Sequence, residues 1–223
     1  MKLTKPYLIY AVIALLVLAG AGLYFLKVIK PKSIPNSFVL QVPFSAQAPT
    51  DNWSRNEDCE ETSLAMVDTF LKGNTQDNIT ASPAQTAIDN LKKWEQANLG
   101  YNADTGASAT TKMAEGALGL KIKQIQDYTE LDLKTELLKG HPILLPINAK
   151  LLNSPQYIED GPTYHMIVIR GFRGHTFIVN DPGTNAGEAN EYSFATLQKA
   201  SADWDHVTKT MNAKRKIALV VSK

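Results

Sequence analysis

The chain has one cysteine in 223 residues, Cys59, so no intramolecular disulfide can form. It has almost no net charge: 23 Lys and Arg stand against 22 Asp and Glu, with neither a basic tract nor an acidic tail, which gives no sign of nucleic-acid binding. No nucleotide-binding signature is present. Four histidines without an H-x-x-x-H pair or a second cysteine offer no metal-ligand spacing, so neither a metal nor another cofactor is expected. What remains is a chain that is 44% apolar and long enough for one domain with a real core.

The first thing present is a run, "YLIYAVIALLVLAGAGLYFL" at residues 7–26, with no charge in twenty residues. At 1.5 Å per residue such a helix is roughly 30 Å long, the thickness of a bilayer's hydrocarbon core. Residues 1–30 therefore read as a membrane anchor; a signal peptide cut near "AGAG" is the alternative. The short basic N-terminus makes N-inside the default, and on either reading the rest of the chain faces outward. "PKSIPNS", residues 31–37, reads as a linker and 38–223 as the folded domain.

An outward location gives the lone thiol meaning, because exported proteins usually carry cysteines in pairs. Its bland reading is a small buried hydrophobe. "FVLQV" at 38–42 predicts a strand ended by Pro43, and a polar loop leads to Cys59. Leu64, Val67 and Leu71 then recur at helical spacing with Met66 and Phe70. This predicts an amphipathic helix capped by Asp58, stopped at Gly73, with Cys59 in its first turn. Unpaired amides and the positive end of the helix dipole stabilise a thiolate there. Glu60 and Glu61 suit the same helix end as ordinary first-turn residues, but as anions they push the thiol pKa back up, so an imidazolium partner would have to outweigh them.

Among the histidines, His141 and His175 read as turn residues and His206 has no evident task. His165 opens the apolar run Met166 to Ile169, a buried strand, where it is either a satisfied core histidine or a base held on a rigid element. That strand, the "FRGHT" turn and "FIVN" at 177–180 predict a hairpin, which brings Asn180 and Asp181 close to His165. Either can accept the imidazole N–H; Asp181-Pro182-Gly183 can also simply be a turn. An oxyanion donor is available in Gln41, within the predicted strand, or in Gln47, in the loop.

The ordered blocks "VPFSAQAP", Cys59 followed by "EETSLAMV", "GHPILLPI", "YHMIVIRGF" and "FIVNDPGT" resemble the papain-like bacteriocin-leader (double-glycine) peptidases, and more closely their stand-alone relatives in bacterial cell envelopes. The resemblance spans roughly residues 38–200. It implies an α+β papain-like cysteine peptidase fold, with the nucleophile's helix packed on an antiparallel sheet. It makes Cys59 the nucleophile, His165 the general base, Asp181 the residue orienting it and Gln47 the oxyanion donor, with no metal or cofactor and a peptide or protein as partner. Two departures stand out: Glu60-Glu61 replaces the family's usual Gly-Pro, and Gln47 lies farther upstream than the family's glutamine. Without a nucleotide-binding segment in the sequence, a peptidase fused to an ATP-driven exporter is not expected.

The expected function is a thiol peptidase acting on exported peptides from the outer face of the bacterial cell membrane, or secreted if the N-terminal segment is cleaved. A catalytically silent peptide-binding module of the same fold and a cell-wall peptide amidase are the other classes. Between Cys59 and His165, "SPAQTAIDNLKKWEQ" predicts a helix with Ser82 as cap and Pro83 at its first position, and two more helices fall near 108–118 and 129–139. "LGYNADTGAS" at 99–108 reads as a connector that lines a cleft at most, and "KIALVV" as a closing strand.

Overall fold

The computed structural model describes residues 10, 33–53, 57–74, 76–157 and 161–223. The apolar segment 7–26 lies outside them except for Tyr10, and no helix among the described residues is long and apolar enough to cross a membrane. The chain divides into Met1–Pro35 and a compact unit, Asn36–Lys223.

That unit is α+β. Its elements run β1 (Ser37–Val39), α1 (Cys59–Leu71), α2 (Ala81–Leu99), α3 (Ala107–Leu118), β2 (Lys121–Gln126), α4 (Glu130–Leu138) and β3 (Ile143–Ile147), then β4 (His165–Arg173), β5 (Thr176–Asn180), β6 (Asn190–Ser193), α5 (Phe194–Ala200), β7 (Asp203–Asp205), β8 (Thr210–Asn212) and β9 (Ile217–Ser222). One antiparallel sheet has the order β2-β9-β3-β4-β5-β6, with β1 joining β4 beyond the end of β3; β7 and β8 form a separate hairpin.

Sequence pattern explains the layout. "ILLPI" of β3 and the first eight residues of β4 are buried without alternation, which requires cover on both faces of the sheet centre. Helix α1 packs on β4 and α2, and α4 packs on β4, β3 and β1. "KIKQIQ" of β2 is instead mostly polar and exposed, with only Ile122 and Ile125 half-buried, as suits an edge strand.

Three local expectations change. The first strand is shorter than 38–42: Leu40 N–H still bonds the Arg170 carbonyl at 2.8 Å, but the Val42 carbonyl accepts from the Asn180 side chain at 3.0 Å and leaves the ladder. Asp58 occupies the N-cap position of α1 without capping it through its side chain, because its carboxylate pairs with Lys92 of α2. Helix α2 starts two residues before Pro83's expected place, with Thr80 as N-cap; Pro83 stays in the first turn, where its missing N–H has no helical acceptor to lose.

A bulge in β4 between Ile169 and Gly171 lets β1 approach so closely that a Cβ on Gly171 would lie 2.6 Å from the Phe38 carbonyl and 2.9 Å from Val39 Cα. Both of these are backbone atoms of β1, which have little room to yield. Gly171→Ala should therefore lower stability by about 1–3 kcal/mol in urea unfolding, as overpacked sites do.

Candidate active site

Helix α1 begins at Cys59, and its first nine residues are buried, so it is a core helix and not the one-faced amphipathic helix expected. Its register on the sheet is set beside the histidine: Ser63 Oγ donates to the carbonyl of Met166, the residue after His165, at 3.3 Å. Cys59 itself is 2% exposed.

His165 stands at the first position of β4 and is 2% exposed. Its Nε2 lies 2.7 Å from Asp181 Oδ1, just past the end of β5, as the hairpin predicted. Asn180, the other candidate, is engaged elsewhere: its Nδ2 donates to Val42 and its Oδ1 accepts from Ala189 N–H at 3.2 Å. Asp181 also accepts the Tyr157 hydroxyl at 2.7 Å and the Gly183 N–H at 2.9 Å. Burial on its own would raise this carboxyl, but the charge and hydrogen bond of His165, with Tyr157 and Gly183, hold it below its ordinary value. Gly183 must be small, because a Cβ there would sit 3.0 Å from His165 Nε2.

Gln47 joins this group through its backbone, which donates to the Pro182 carbonyl at 2.8 Å; the side chain is buried and its Oε1 has no hydrogen-bond partner. Gln41 is exposed and takes no part. Of the other histidines, His141 bonds Glu136 at 3.1 Å, His175 bonds Glu130 at 3.0 Å, and His206 stacks on Tyr101 with ring centroids 3.5 Å apart. Among the described residues, no group of three or more His, Cys, Asp or Glu is arranged to hold a metal ion.

The surroundings of Cys59 overturn the view of Glu60 and Glu61 as ordinary first-turn residues, since both are buried. The Cys59 thiol donates to Glu60 Oε2 at 3.0 Å, while Glu60 Oε1 accepts from the Thr105 N–H and hydroxyl. Tyr164 closes the link with a 2.6 Å bond to the Thr105 carbonyl, so residues 99–106 are tied to the cysteine and are more than a connector. Burial pushes the Cys59 thiol well above its ordinary value, and Glu60, Asp104 and Glu61 push the same way. The helix end does not make a resting thiolate. Glu61 hydrogen-bonds Glu95 of α2. Neither Glu95 oxygen nor Glu61 Oε2 has another partner, so a single proton held between two buried carboxyls satisfies the pair.

Tyr157, Thr105 and Tyr164 carried no sequence signal, because each acts from an irregular segment through one hydroxyl or amide. Glu60 was visible as the neighbour of Cys59, but its burial depends on the loop that covers it.

Residues 39–212, well over half of the chain, match the Peptidase_C39 like family, and the chain belongs to that family. None of the curated proteins matches it. Among solved structures it is similar to a Bacillus anthracis protein described as a C39-like peptidase, with 18% identity and a TM-score of 0.53 over 84% of this chain and 98% of that one. It is also similar to the peptidase domain of Streptococcus ComA, with 16% identity and a TM-score of 0.43 over 74% of this chain and 91% of that one. A double glycine motif protease from an AMS/PCAT transporter, in complex with its leader peptide, matches at 18% identity and a TM-score of 0.37 over 73% of this chain and 82% of that one. At 18% identity the likeness to the Bacillus anthracis protein speaks for the fold alone.

Two outcomes follow from the acidic surroundings. Burial, with Glu61 and Asp104, raises the Glu60 carboxyl too. Cys59 should titrate above a free thiol, and Glu60→Gln, which removes the carboxyl bonded to the thiol while keeping an acceptor for Thr105, should lower the midpoint of its alkylation by iodoacetamide by about one pH unit or more; an unmoved midpoint would contradict the link. Burial raises Glu61 to about 7, with Glu95 opposing in part. Between about pH 4.3, where an unfolded glutamate titrates, and that value, the folded chain binds more protons than the unfolded one, so stability falls as pH rises. The Tm should drop from about pH 5 to about pH 7.5, and Glu61→Gln should flatten that slope.

Proposed function

We propose that the chain is a thiol peptidase in which Cys59, His165 and Asp181 act as a triad. The observation that carries this reading is the buried His165–Asp181 pair, whose carboxylate accepts from His165, Tyr157 and Gly183, at the start of β4, against which the cysteine's helix is packed. With Nε2 held by Asp181, the remaining ring nitrogen, Nδ1, is the base.

Because the resting thiol is neutral, proton transfer accompanies attack. Cys59 Sγ gives its proton to His165 Nδ1 as sulfur bonds the peptide carbonyl carbon, and the oxyanion accepts from the Cys59 backbone N–H and the Gln47 side chain. His165 then protonates the leaving amine, and water, deprotonated by the same nitrogen, hydrolyses the thioester. The first amide of α1 to reach a helical acceptor is that of Thr62, which bonds the Asp58 carbonyl at 3.0 Å, so the Cys59 N–H has no helical acceptor. Gln47 is supported in its role by its loop's anchorage to Pro182 beside Asp181.

The substrates on this reading are exported peptides or proteins, and the uncharged segment 7–26 anchors the enzyme to the membrane with its folded unit outside. The raised thiol is also the observation that favours a second reading, a silent domain that binds peptides without cutting them.

Digestion of a mixed peptide library by the full chain in neutral detergent separates the two. The peptidase reading expects cleavage that is abolished by Cys59→Ala, reduced about a thousandfold or more by His165→Ala, and a wild-type thioester on Cys59 detectable by mass after acid quench. Peptide binding without any Cys59-dependent cleavage would establish the silent domain.

A further inference from the structure

A cavity of about 570 Å³ has walls that include Glu57, Asp104, Tyr164, Trp204, Lys209 and Met211, and the Asp104 carboxyl on its wall is within electrostatic reach of both Cys59 and His165. Glu57 is two residues before Cys59, and Tyr164 is the residue before His165. A substrate residue near the bond held over the sulfur can therefore reach this cavity.

The chemistry of the walls selects the occupant. Tyr164 is buried and stacks on the half-buried Trp204 with ring centroids 5.4 Å apart, so the aromatic wall is the Trp204 indole backed by Tyr164, suited to a long aliphatic stem and to a cation near a ring. Glu57 and Asp104 supply two carboxylates, and among the described residues neither has a hydrogen-bond or ion-pair partner, although Asp104 is half-buried. Lys209 offers one exposed ammonium against these two, which leaves the cavity net negative. Burial raises the Asp104 carboxyl to about 6, and Glu57 adds to the rise while His165 and His206 oppose it. A cation between the two carboxylates would relieve that strain.

We propose that this cavity is the specificity subsite for a lysine or arginine side chain of the substrate. The aliphatic stem lies along Tyr164 and Trp204, and the charged head meets Asp104 and Glu57. This inference rests on the peptidase reading, which it makes more specific: the substrates are peptides with a basic residue next to the cleaved bond.

The test uses the full chain in neutral detergent on a random peptide library, with cleavage sites read by mass spectrometry. Lysine or arginine should be enriched about tenfold or more over leucine at one position within two residues of the cut, and the Glu57→Gln, Asp104→Asn double variant should bring that ratio close to one. Cys59-dependent cleavage with no basic preference, or a preference that the double variant keeps, would overturn the subsite and leave the peptidase reading intact. If nothing is cleaved, the peptidase reading fails and the cavity is judged by binding. In that case fluorescence anisotropy on Cys59→Ala compares labelled Ala-Ala-Lys-Ala-Ala with its norleucine counterpart. Tighter binding of the lysine peptide by about tenfold, lost in the double variant, supports the cationic site, and equal binding overturns it.

Discussion

His165 has two ring nitrogens, and the 2.7 Å contact between Nε2 and Asp181 Oδ1 decides which one is left for chemistry. The rest of the site is arranged around that contact. Asp181 is 1% exposed, and a buried carboxylate is tolerable only when its lone pairs are filled, here by His165, the Tyr157 hydroxyl and the Gly183 N–H. The turn that follows must hold a glycine to let the imidazole in, and the same turn receives the Gln47 backbone through Pro182. A single strand end thereby positions a proposed base, its orienting acid and a proposed oxyanion donor.

The cysteine is held by a different logic. Its helix carries Asp58, Glu60 and Glu61 into the interior, where each finds a separate solution: an ion pair with Lys92, hydrogen bonds from Thr105, and a hydrogen bond with Glu95. The consequence is a thiol held in its neutral form. A neutral thiol is less open to oxidation than a thiolate. It also makes a correctly oriented histidine more important, because no preformed thiolate can substitute for proton removal during attack.

Much of this was legible in the sequence where the signal is local or repeated. The helix after Cys59 and the β4–β5 hairpin follow from periodicity and turn residues, and the hairpin alone is enough to bring His165 to the Asn180-Asp181 pair. Choosing between those two neighbours was a matter of which side chain reaches back, and Asn180 is drawn away by the Val42 carbonyl. The illegible part is long-range. Glu60 and Glu61 have the composition of an exposed first turn, and only the return of residues 99–106 and helix α2 over the helix start makes them interior. The β7–β8 hairpin, three residues in each strand, is too short for a periodic pattern, yet Trp204 and Met211 from it wall the cavity next to Tyr164.

The account depends most directly on the tautomer of His165, which nitrogen NMR of the full chain with ring-labelled histidine reads out, His165→Gln serving to assign the signal. In the neutral state His165 should carry its proton on Nε2, hydrogen-bonded to Asp181, with Nδ1 bare, and Asp181→Asn should disturb that preference. A neutral His165 protonated at Nδ1 would contradict the account, because that nitrogen could then take no proton from Cys59.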